Sequence, residues 1–424
     1  MNSSQNSFLQ SYYTSLMTAS RLAWDSIRAH KLRSALTLLG IIIGVASVVL
    51  VGAAIDGLGV YAADSTAKAF GTESYLVAQI AQVGRSTPAE RAAKLRRNKR
   101  IRREDLAYLK EATGEQILYS PYRLRVEDVK RGNETFEGAA VIGTAAAISE
   151  IRDIAVVQGR YFTDQEERAH QNVCVIGYEI TQTLFPGGSP LDQTVRIRGL
   201  DFRVVGVQDK LGSVGGNSQD NQIYIPTESF TRMFGQEASM GVFGKPRPET
   251  GLDLEAGLDV TRTALRTRFG VKPGETDKFD TLTPDAIRGF VDQILGLIKA
   301  IVIPVTMISL VVGGIVIMNI MLVSVTERTR EIGIRKSLGA KHDDIMLQFL
   351  VEAVMLAAMG GAVGLTGGAL MAKILSLILE VNLPVTTTYV VLALVVSTLA
   401  GVLSGWYPAS RAARMDPIAA LRAE

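Results

Sequence analysis

The residue types that most often do chemistry are few and scattered in this chain of 424 residues. Its three histidines, His30, His170 and His342, lie in separate regions, whereas a metal site needs three or four convergent ligands. Its single cysteine, Cys174, cannot form an intramolecular disulfide and fits a buried apolar position. Neither a Gly-x-Ser-x-Gly nucleophile pattern nor a phosphate-binding Walker A pattern occurs. We therefore expect no catalytic residue, no metal and no cofactor on this chain.

The densest chemical pattern is a charged segment, residues 327–341, between two apolar stretches. Its spacing predicts a short amphipathic helix that Gly339 ends, with Ile332, Ile334 and Leu338 available for contacts. The alternative is that these charges only set the topology of the neighbouring spans.

Four stretches without any Asp, Glu, Lys or Arg must position that segment: residues 34–55, 300–326, 353–372 and 381–410. A bilayer core requires about 20 apolar residues, so each stretch is long enough to cross it. The first is too long and begins too far from the start to be a signal peptide. The pattern excludes a cytosolic enzyme, a disordered chain and a disulfide-stapled secreted module. Asn319 and Glu352 are the few polar groups near these spans, which argues against a proton-driven path.

Basic residues flank the spans on one side only, which predicts the orientation because such residues stay in the cytoplasm. Both termini and residues 327–344 are then cytoplasmic, and residues 57–290 lie outside. The basic residues that fix this assignment are Arg21, Arg28, Lys31, Arg33, Arg328, Arg330, Arg335, Lys336, Lys341, Arg411, Arg414 and Arg422.

The exterior segment has the alternation and the Gly and Pro punctuation of a mixed α+β domain. Strands are predicted at residues 173–176, 195–198, 202–207 and 222–225, and helices at 103–112 and 255–269. Apolar periodicity also extends the first span towards Phe70 and begins the second before the membrane, near Ile287, which suggests a helical stalk.

The fold class predicted is an α-helical membrane protein with four transmembrane helices and a large α+β extracytoplasmic domain inserted between the first and second. Its predicted parts are an interfacial amphipathic helix (1–33), the first span (34–56), the extracytoplasmic domain with stalk helices (57–290), stalk and second span (291–326), a cytoplasmic loop (327–344), the third span (345–379), a short outer loop (380–387), the fourth span (388–410) and a cytoplasmic tail (411–424).

Eight cations crowd into residues 91–103 of the exterior segment. They suit contacts with anionic lipid headgroups or with an acidic partner. The alternative is a solvated, partly disordered loop, and nucleic acid is not expected outside the cell.

Small residues recur at four-residue spacing in the spans, which lets helix backbones approach closely in lipid. They are Gly40 and Gly44, then Gly360, Gly364 and Gly368, then Gly401 and Gly405. Packing within one chain and packing between protomers both explain the spacing. Because the first span is isolated in sequence, Gly40 and Gly44 favour a role between protomers.

Several of these segments together resemble one family. Residues 325–340 and 348–353, and the final segment 407–422, resemble the signature of MacB/FtsX-type ABC-transporter permeases. Residues 29–46 are similar to the family's entry into its first span. Residues 173–177, 202–207 and 223–226 resemble its exterior domain.

This resemblance implies a dimeric permease in the bacterial inner membrane that works with two copies of a cytoplasmic ATPase. MacB carries a fused ATPase and this sequence shows none, so a separate ATPase subunit that binds ATP and Mg²⁺ is expected. The coupling element would dock on it through Glu327, Arg328, Arg330, Glu331, Ile332, Gly333, Ile334, Arg335, Lys336, Leu338, Gly339 and Ala340.

ATP-driven closure would then move the exterior domain by mechanotransmission, driving efflux or export with a periplasmic adaptor and an outer-membrane channel. Two alternatives stay open: an FtsX-like transmembrane regulator of a cell-wall hydrolase, and a permease that extracts lipoproteins.

Overall fold

The computed structural model describes residues 31–71, 73–84, 86–214, 217–235, 239–379 and 381–422. The interfacial helix predicted for residues 1–33 therefore lies almost wholly outside the described residues. The chain divides into two compact units. We call residues 1–60 with 294–424 the helical unit, and residues 61–293 the α+β unit.

Helices dominate both ends of the described chain, and strands are confined to its middle. The helices are α1 (Lys31–Phe70), α2 (Pro88–Arg97), α3 (Arg103–Thr113), α4 (Ile148–Ile151), α5 (Asp164–Arg168), α6 (Tyr178–Leu184), α7 (Thr227–Phe234), α8 (Leu254–Phe269), α9 (Pro284–Glu327), α10 (Thr329–Ser337), α11 (His342–Leu379), α12 (Thr387–Ala413) and α13 (Pro417–Arg422). The strands are β1 (Tyr75–Ala78), β2 (Ile117–Arg131), β3 (Glu134–Thr144), β4 (Val156–Gly159), β5 (Val173–Ile176), β6 (Thr194–Ile197), β7 (Leu200–Gln208), β8 (Ser213–Val214), β9 (Asn217–Ser218), β10 (Gln222–Pro226), β11 (Gly241–Pro246) and β12 (Asp280–Leu282).

Four helices are long and apolar enough to cross a membrane, which confirms the number of spans predicted. They cover Leu38–Lys68, Pro284–Glu327, His342–Ile378 and Thr387–Ala413. Helix α1 continues unbroken to Phe70, and α9 begins at Pro284, well before its apolar stretch. The helical extensions predicted for the first two spans are therefore confirmed.

Glycines let the four spans of the helical unit pack closely. A Cβ atom at Gly364 would lie 2.8 Å from the carbonyl oxygen of Ile42, so α11 meets the backbone of α1 there. One at Gly401 would lie 2.6 Å from the Cβ of Ala357, where α12 meets α11. Such close backbone approach stabilises helix pairs in lipid, where burial of apolar surface supplies little driving force.

The α+β unit is built on a ten-stranded mixed sheet in the order β12-β1-β11-β2-β3-β10-β5-β7-β4, with β6 paired to β2 and β7. Strands β10 and β3 pair in parallel, as do β5 and β7, and the other pairs are antiparallel. Strands β5, β6, β7 and β10 and helices α3 and α8 coincide with the predicted elements to within two residues at each end. The predicted α+β domain between the first and second spans is thereby confirmed.

Two of the larger hydrophobic clusters of the α+β unit lie on different strands of its sheet. One surrounds Ile176, Phe202 and Phe230 and is built mainly on β3, β5, β6, β7 and β10. The other surrounds Leu109 and Leu265, where α3 and α8 pack on β1, β2 and β11.

The basic segment is not a disordered loop in the structure, because residues 88–97 form α2. A capping box explains its start: the Thr87 hydroxyl accepts from the Glu90 amide, and the Glu90 carboxylate accepts from the Thr87 amide. Both bonds satisfy amides that have no partner within the helix. Pro88 occupies the first helical turn, where its fixed φ suits the helix.

Candidate functional site

The charged segment between the second and third spans forms a short helix, α10, as the sequence predicts. Arg328 has φ −103° and ψ 17°, which separates α10 from α9. At the other end Gly339 has φ +95°, a left-handed conformation that favours glycine. The Gly339 amide donates to the Lys336 carbonyl (3.0 Å) and the Ala340 amide to the Arg335 carbonyl (3.1 Å). These are the two bonds of a Schellman motif, so Gly339 ends the helix by a specific turn.

One face of α10 packs into the helical unit. The Ile332 side chain is only 1% exposed and lies in the buried cluster that contains Phe349 and Ala412. Gly333 beside it is also buried, and α10 packs against α13. The apolar contacts of α10 are therefore partly with its own chain.

Three of the predicted cations also point towards the spans. Lys336 Nζ donates to the carbonyl oxygens of Ala413 (2.6 Å) and Met415 (2.7 Å), at the end of α12. A cation suits this place because the last carbonyls of a helix carry partial negative charge.

Two further bonds join this region to α11. Arg335 Nη1 donates to Gln348 Oε1 at 2.6 Å. Arg328 Nη1 lies 3.5 Å from Glu352 Oε2, and the Glu352 carboxylate is buried. Glu352 therefore has a basic neighbour, as expected for a structural carboxylate near the membrane surface.

The opposite face of α10 is exposed. Leu338 is 84% exposed and Ile334 is 45% exposed, although both are apolar. The other exposed members of the predicted set are Glu327, Arg330, Glu331 and Gly339. Two exposed apolar side chains thus lie among exposed charged residues on this side of α10. The structure thus separates the predicted residues into a face that contacts the spans and a face that is available to a partner.

The sequence alone did not reveal which residues hold α10 in place. Gln348 and the carbonyls of Ala413 and Met415 lie within segments that resemble the family. Nothing in residue type or spacing identifies them as partners of Arg335 and Lys336.

Gly40 and Gly44 lie against α9 of the same chain. A Cβ atom at Gly40 would lie 2.7 Å from the Cα of Gly313, and one at Gly44 would lie 2.9 Å from Cγ of Leu310. The space at both glycines is therefore filled within the protomer, and the structure gives no support to their role between protomers.

Within the described ranges, no group of three or more His, Cys, Asp or Glu side chains is placed to hold a metal ion. Cys174 is fully buried, and burial raises the pKa of its thiol well above the ordinary value. The thiolate is the reactive form of cysteine, so this side chain is chemically inert in the folded protein.

The two parts of the chain match two family models. Residues 34–262 match the MacB-like periplasmic core domain, and residues 304–417 match the FtsX-like permease C-terminal domain. The chain belongs to the MacB/FtsX-type ABC-transporter permeases. The chain has four candidate spans, with the MacB-like periplasmic α+β domain between the first and the second.

Curated relatives agree with this assignment. The chain is 32% identical over 412 residues to a macrolide export ATP-binding/permease protein MacB of Bdellovibrio bacteriovorus, covering 95% of this chain and 61% of the relative. It is 34% identical over 416 residues to the ABC transporter permease YknZ of Bacillus subtilis, covering 97% of this chain and 100% of the relative. The chain thus spans about three fifths of the MacB protein and the whole of YknZ.

Among solved structures, the periplasmic region of MacB from Actinobacillus actinomycetemcomitans is similar to this chain. The identity is 16% and the TM-score 0.41, covering 53% of this chain and 95% of that one. The family models and the curated relatives, together with the four candidate spans, make the chain a MacB-like membrane permease.

Proposed function

We propose that this permease transmits ATP-driven movements of a separate cytoplasmic ATPase to its periplasmic domain. The observation that carries the proposal is the two-faced α10, whose outer side exposes Leu338 and Ile334 while its inner side is bonded to the spans. In this proposal the termini and residues 327–344 are cytoplasmic, as the flanking basic residues indicate.

The inner bonds give a route by which a push on α10 reaches the membrane. Lys336 connects α10 to the end of α12, and Arg335 connects it to α11 through Gln348. A displacement of α10 would therefore act on both helices instead of being absorbed by a loose loop.

The long helices give the next part of the route. Helix α1 is continuous from the first span to Phe70, and α9 is continuous from Pro284 into the second span. At 1.5 Å per residue, the part of α1 beyond the charge-free stretch extends for about 20 Å. Continuous helices are stiff elements, which suits them as the stalk of a mechanotransmission device.

Transport through the spans is not part of the proposal, and the groove between α9 and α12 is apolar. Its volume is about 500 Å³, and Ser404 is its one polar side chain among residues such as Met307, Val311 and Leu403. A hydrophilic path across lipid needs polar groups along it. The cargo would instead be moved outside the membrane.

The complete assembly proposed is a dimer of this chain with two ATPases, which bind ATP and Mg²⁺. It would drive efflux or export with a periplasmic adaptor and an outer-membrane channel, and the permease itself would catalyse no reaction. Export is favoured because one relative is described as a macrolide export ATP-binding/permease protein. A separate ATPase is favoured because YknZ, which is matched over its whole length, is described as an ABC transporter permease.

The experiment introduces a charge on the exposed face of α10. Leu338→Asp should reduce co-purification of the co-expressed ABC ATPase at least tenfold, because a carboxylate replaces an apolar docking side chain. Val157→Asp is the matched control, since Val157 is also exposed and apolar but belongs to the periplasmic domain.

The permease level in the membrane should be the same for both variants. Normal recovery of the ATPase with Leu338→Asp would show that α10 is not the docking element and would contradict the proposal.

A further inference from the structure

Helix α2 of the periplasmic domain is unusual because none of its residues is buried. Helices in proteins are normally stabilised by packing an apolar face, and ten residues are too few for a stable isolated helix in water. Its capping box and one anchoring network must therefore hold it in place.

The anchor is Asp280, at the start of the edge strand β12, whose carboxylate is almost fully buried. It accepts from Lys94 Nζ at 2.6 Å and from Asn98 Nδ2 at 2.9 Å. Asn98 Nδ2 also donates to the Gln79 carbonyl at 2.7 Å. One buried carboxylate thus fixes the last turn of α2 to the edge of the sheet, with charge-assisted bonds that are among the stronger hydrogen bonds in proteins.

Much of the surface of α2 is exposed to solvent beside this anchor. Residues four apart lie on one side of a helix, which aligns Arg91 with Leu95 and Ala92 with Arg96. These four positions are exposed, and Leu95 is 50% exposed. Two exposed arginines therefore lie within about one turn of an exposed leucine on a helix that Asp280 anchors through Lys94.

Four cations of this surface have no ionic or hydrogen-bonding partner for their side chains among the described residues: Arg91, Arg96, Arg100 and Arg102. By contrast, Lys94 is paired with Asp280, Arg103 with Glu228, and Lys99 donates to a carbonyl. The basic segment thus divides into cations that build the domain and cations that remain uncompensated on its surface. We define the latter four with Leu95 as the basic surface.

We propose that the basic surface docks an acidic segment of a partner protein in the periplasm. Carboxylates would relieve the mutual repulsion of the four cations, and arginine pairs with carboxylates in a bidentate geometry. Leu95 would contribute an apolar contact beside Arg91 and Arg96.

A protein partner fits better than a lipid surface. A helix that lies in a membrane interface needs a broad apolar face. On α2 the apolar residues are Pro88, three small alanines and one larger side chain, Leu95.

The test measures binding of a fluorescein-labelled peptide of alternating glutamate and leucine residues to the full chain. The chain is reconstituted in nanodiscs of uncharged phosphatidylcholine, and binding is followed by fluorescence anisotropy. The double variant Arg91→Gln/Arg96→Gln should weaken binding about fivefold, since exposed ion pairs contribute modestly each. Added salt should weaken binding to the unaltered protein, because it screens exposed charges.

The matched control removes two exposed cations of the same domain elsewhere, as Arg232→Gln/Lys272→Gln. This variant loses the same charge, but at positions outside the basic surface. Its affinity for the peptide should therefore stay within about twofold of that of the unaltered protein. Equal weakening by both double variants would overturn the proposal, because the loss of peptide affinity would then depend only on net charge. Absence of peptide binding by the unaltered protein would also overturn it.

A parallel arm uses vesicles of phosphatidylglycerol in place of the peptide. Vesicle binding that exceeds peptide binding and depends on Arg91 and Arg96 would assign the surface to lipid and overturn the proposal. The assay contains no ATPase, so its outcome is independent of the function proposed for α10.

Discussion

Arg160 and Glu166 form a paired-fork ion pair in the α+β unit. Arg160 Nη1 donates to Glu166 Oε2 at 2.7 Å, and Nη2 donates to Oε1 at 2.8 Å. The Thr163 amide donates to the same carboxylate at 2.9 Å as part of the capping box of α5. These donors, Arg160 foremost, lower the pKa of Glu166 from 4.5 to about 2.

This lowered pKa predicts how stability depends on acid. A carboxyl group with a depressed folded-state pKa stabilises the protein above its unfolded-state pKa and loses that contribution as pH falls. Between about pH 4.5 and pH 2, the melting temperature of the unaltered chain should therefore fall more steeply than that of Glu166→Gln. Thermal unfolding of the detergent-solubilised chain at a series of pH values measures both.

The neighbouring Glu167 supplies a control of opposite sign. Burial raises its pKa, so its contribution is present at low pH and is lost as pH rises through the raised value. Glu167→Gln should therefore not make the fall of the melting temperature at low pH any less steep. Identical acid profiles for Glu166→Gln and the unaltered chain would refute the role of this ion pair.

At the residue scale, the sequence predicted the helix α10 but not which of its residues contact the spans and which are exposed. Arg330 and Arg335 have the same side chain five residues apart, yet Arg330 is exposed and Arg335 bonds to Gln348. Which way each side chain points depends on where α11 and α12 pass, and residue type carries no such information.

At the scale of elements, the glycines of α11 offer a paired comparison. A Cβ atom at Gly364 would lie 2.8 Å from the Ile42 carbonyl oxygen and 2.9 Å from Val45 Cβ. At Gly367 on the same helix, nothing lies within 4 Å of that position. The two positions thus differ in packing and share the same helix.

Gly364→Ala should therefore destabilise the protein by about 1–3 kcal/mol, because α1 must move to accommodate the methyl group. Gly367→Ala should be neutral or stabilising by up to about 1 kcal/mol, since alanine is the better helix former. Thermal unfolding of the two variants in the same detergent measures the difference. Equal stability would show that the contact between α1 and α11 is not tight.

Periodicity predicted the apolar elements well and the polar ones poorly. Buried strands such as β5 are continuous apolar runs, and the sequence shows them directly. The long hairpin of β2 and β3 was not predicted, because β2 contains Pro121 and its outer half exposes alternating charged and apolar residues. Helix α2 was missed as a helix because its apolar face is nearly absent, and only its capping box indicates where it begins.

At the scale of the whole molecule, the orientation in the membrane can be tested with single cysteines. Cys174 is fully buried with a raised thiol pKa, so the unaltered chain should not react with a membrane-impermeant maleimide. Ser189→Cys, exposed in the α+β unit, should be labelled in intact spheroplasts. Ser337→Cys, exposed at the end of α10, should be labelled only after permeabilisation.

Denaturation before labelling provides the control, because every cysteine should then react. Labelling of Ser337→Cys in intact spheroplasts, with Ser189→Cys protected, would mean that the chain has the opposite orientation. The proposed docking of a cytoplasmic ATPase on α10 would then be wrong.

The sequence by itself determined the number of spans, the class of the inserted domain and the family. Charge-free stretches, short apolar runs and sequence motifs are all local properties of a sequence. The charge-free stretches determine the number of spans, because placing a charge in lipid is costly. Only the tertiary structure decided that Gly40 and Gly44 meet α9 and that Lys336 binds the end of α12. It also decided that the Asp280 carboxylate binds Lys94 of α2. Each of these is a contact between residues tens to hundreds of positions apart, and such contacts exist only once the chain has packed.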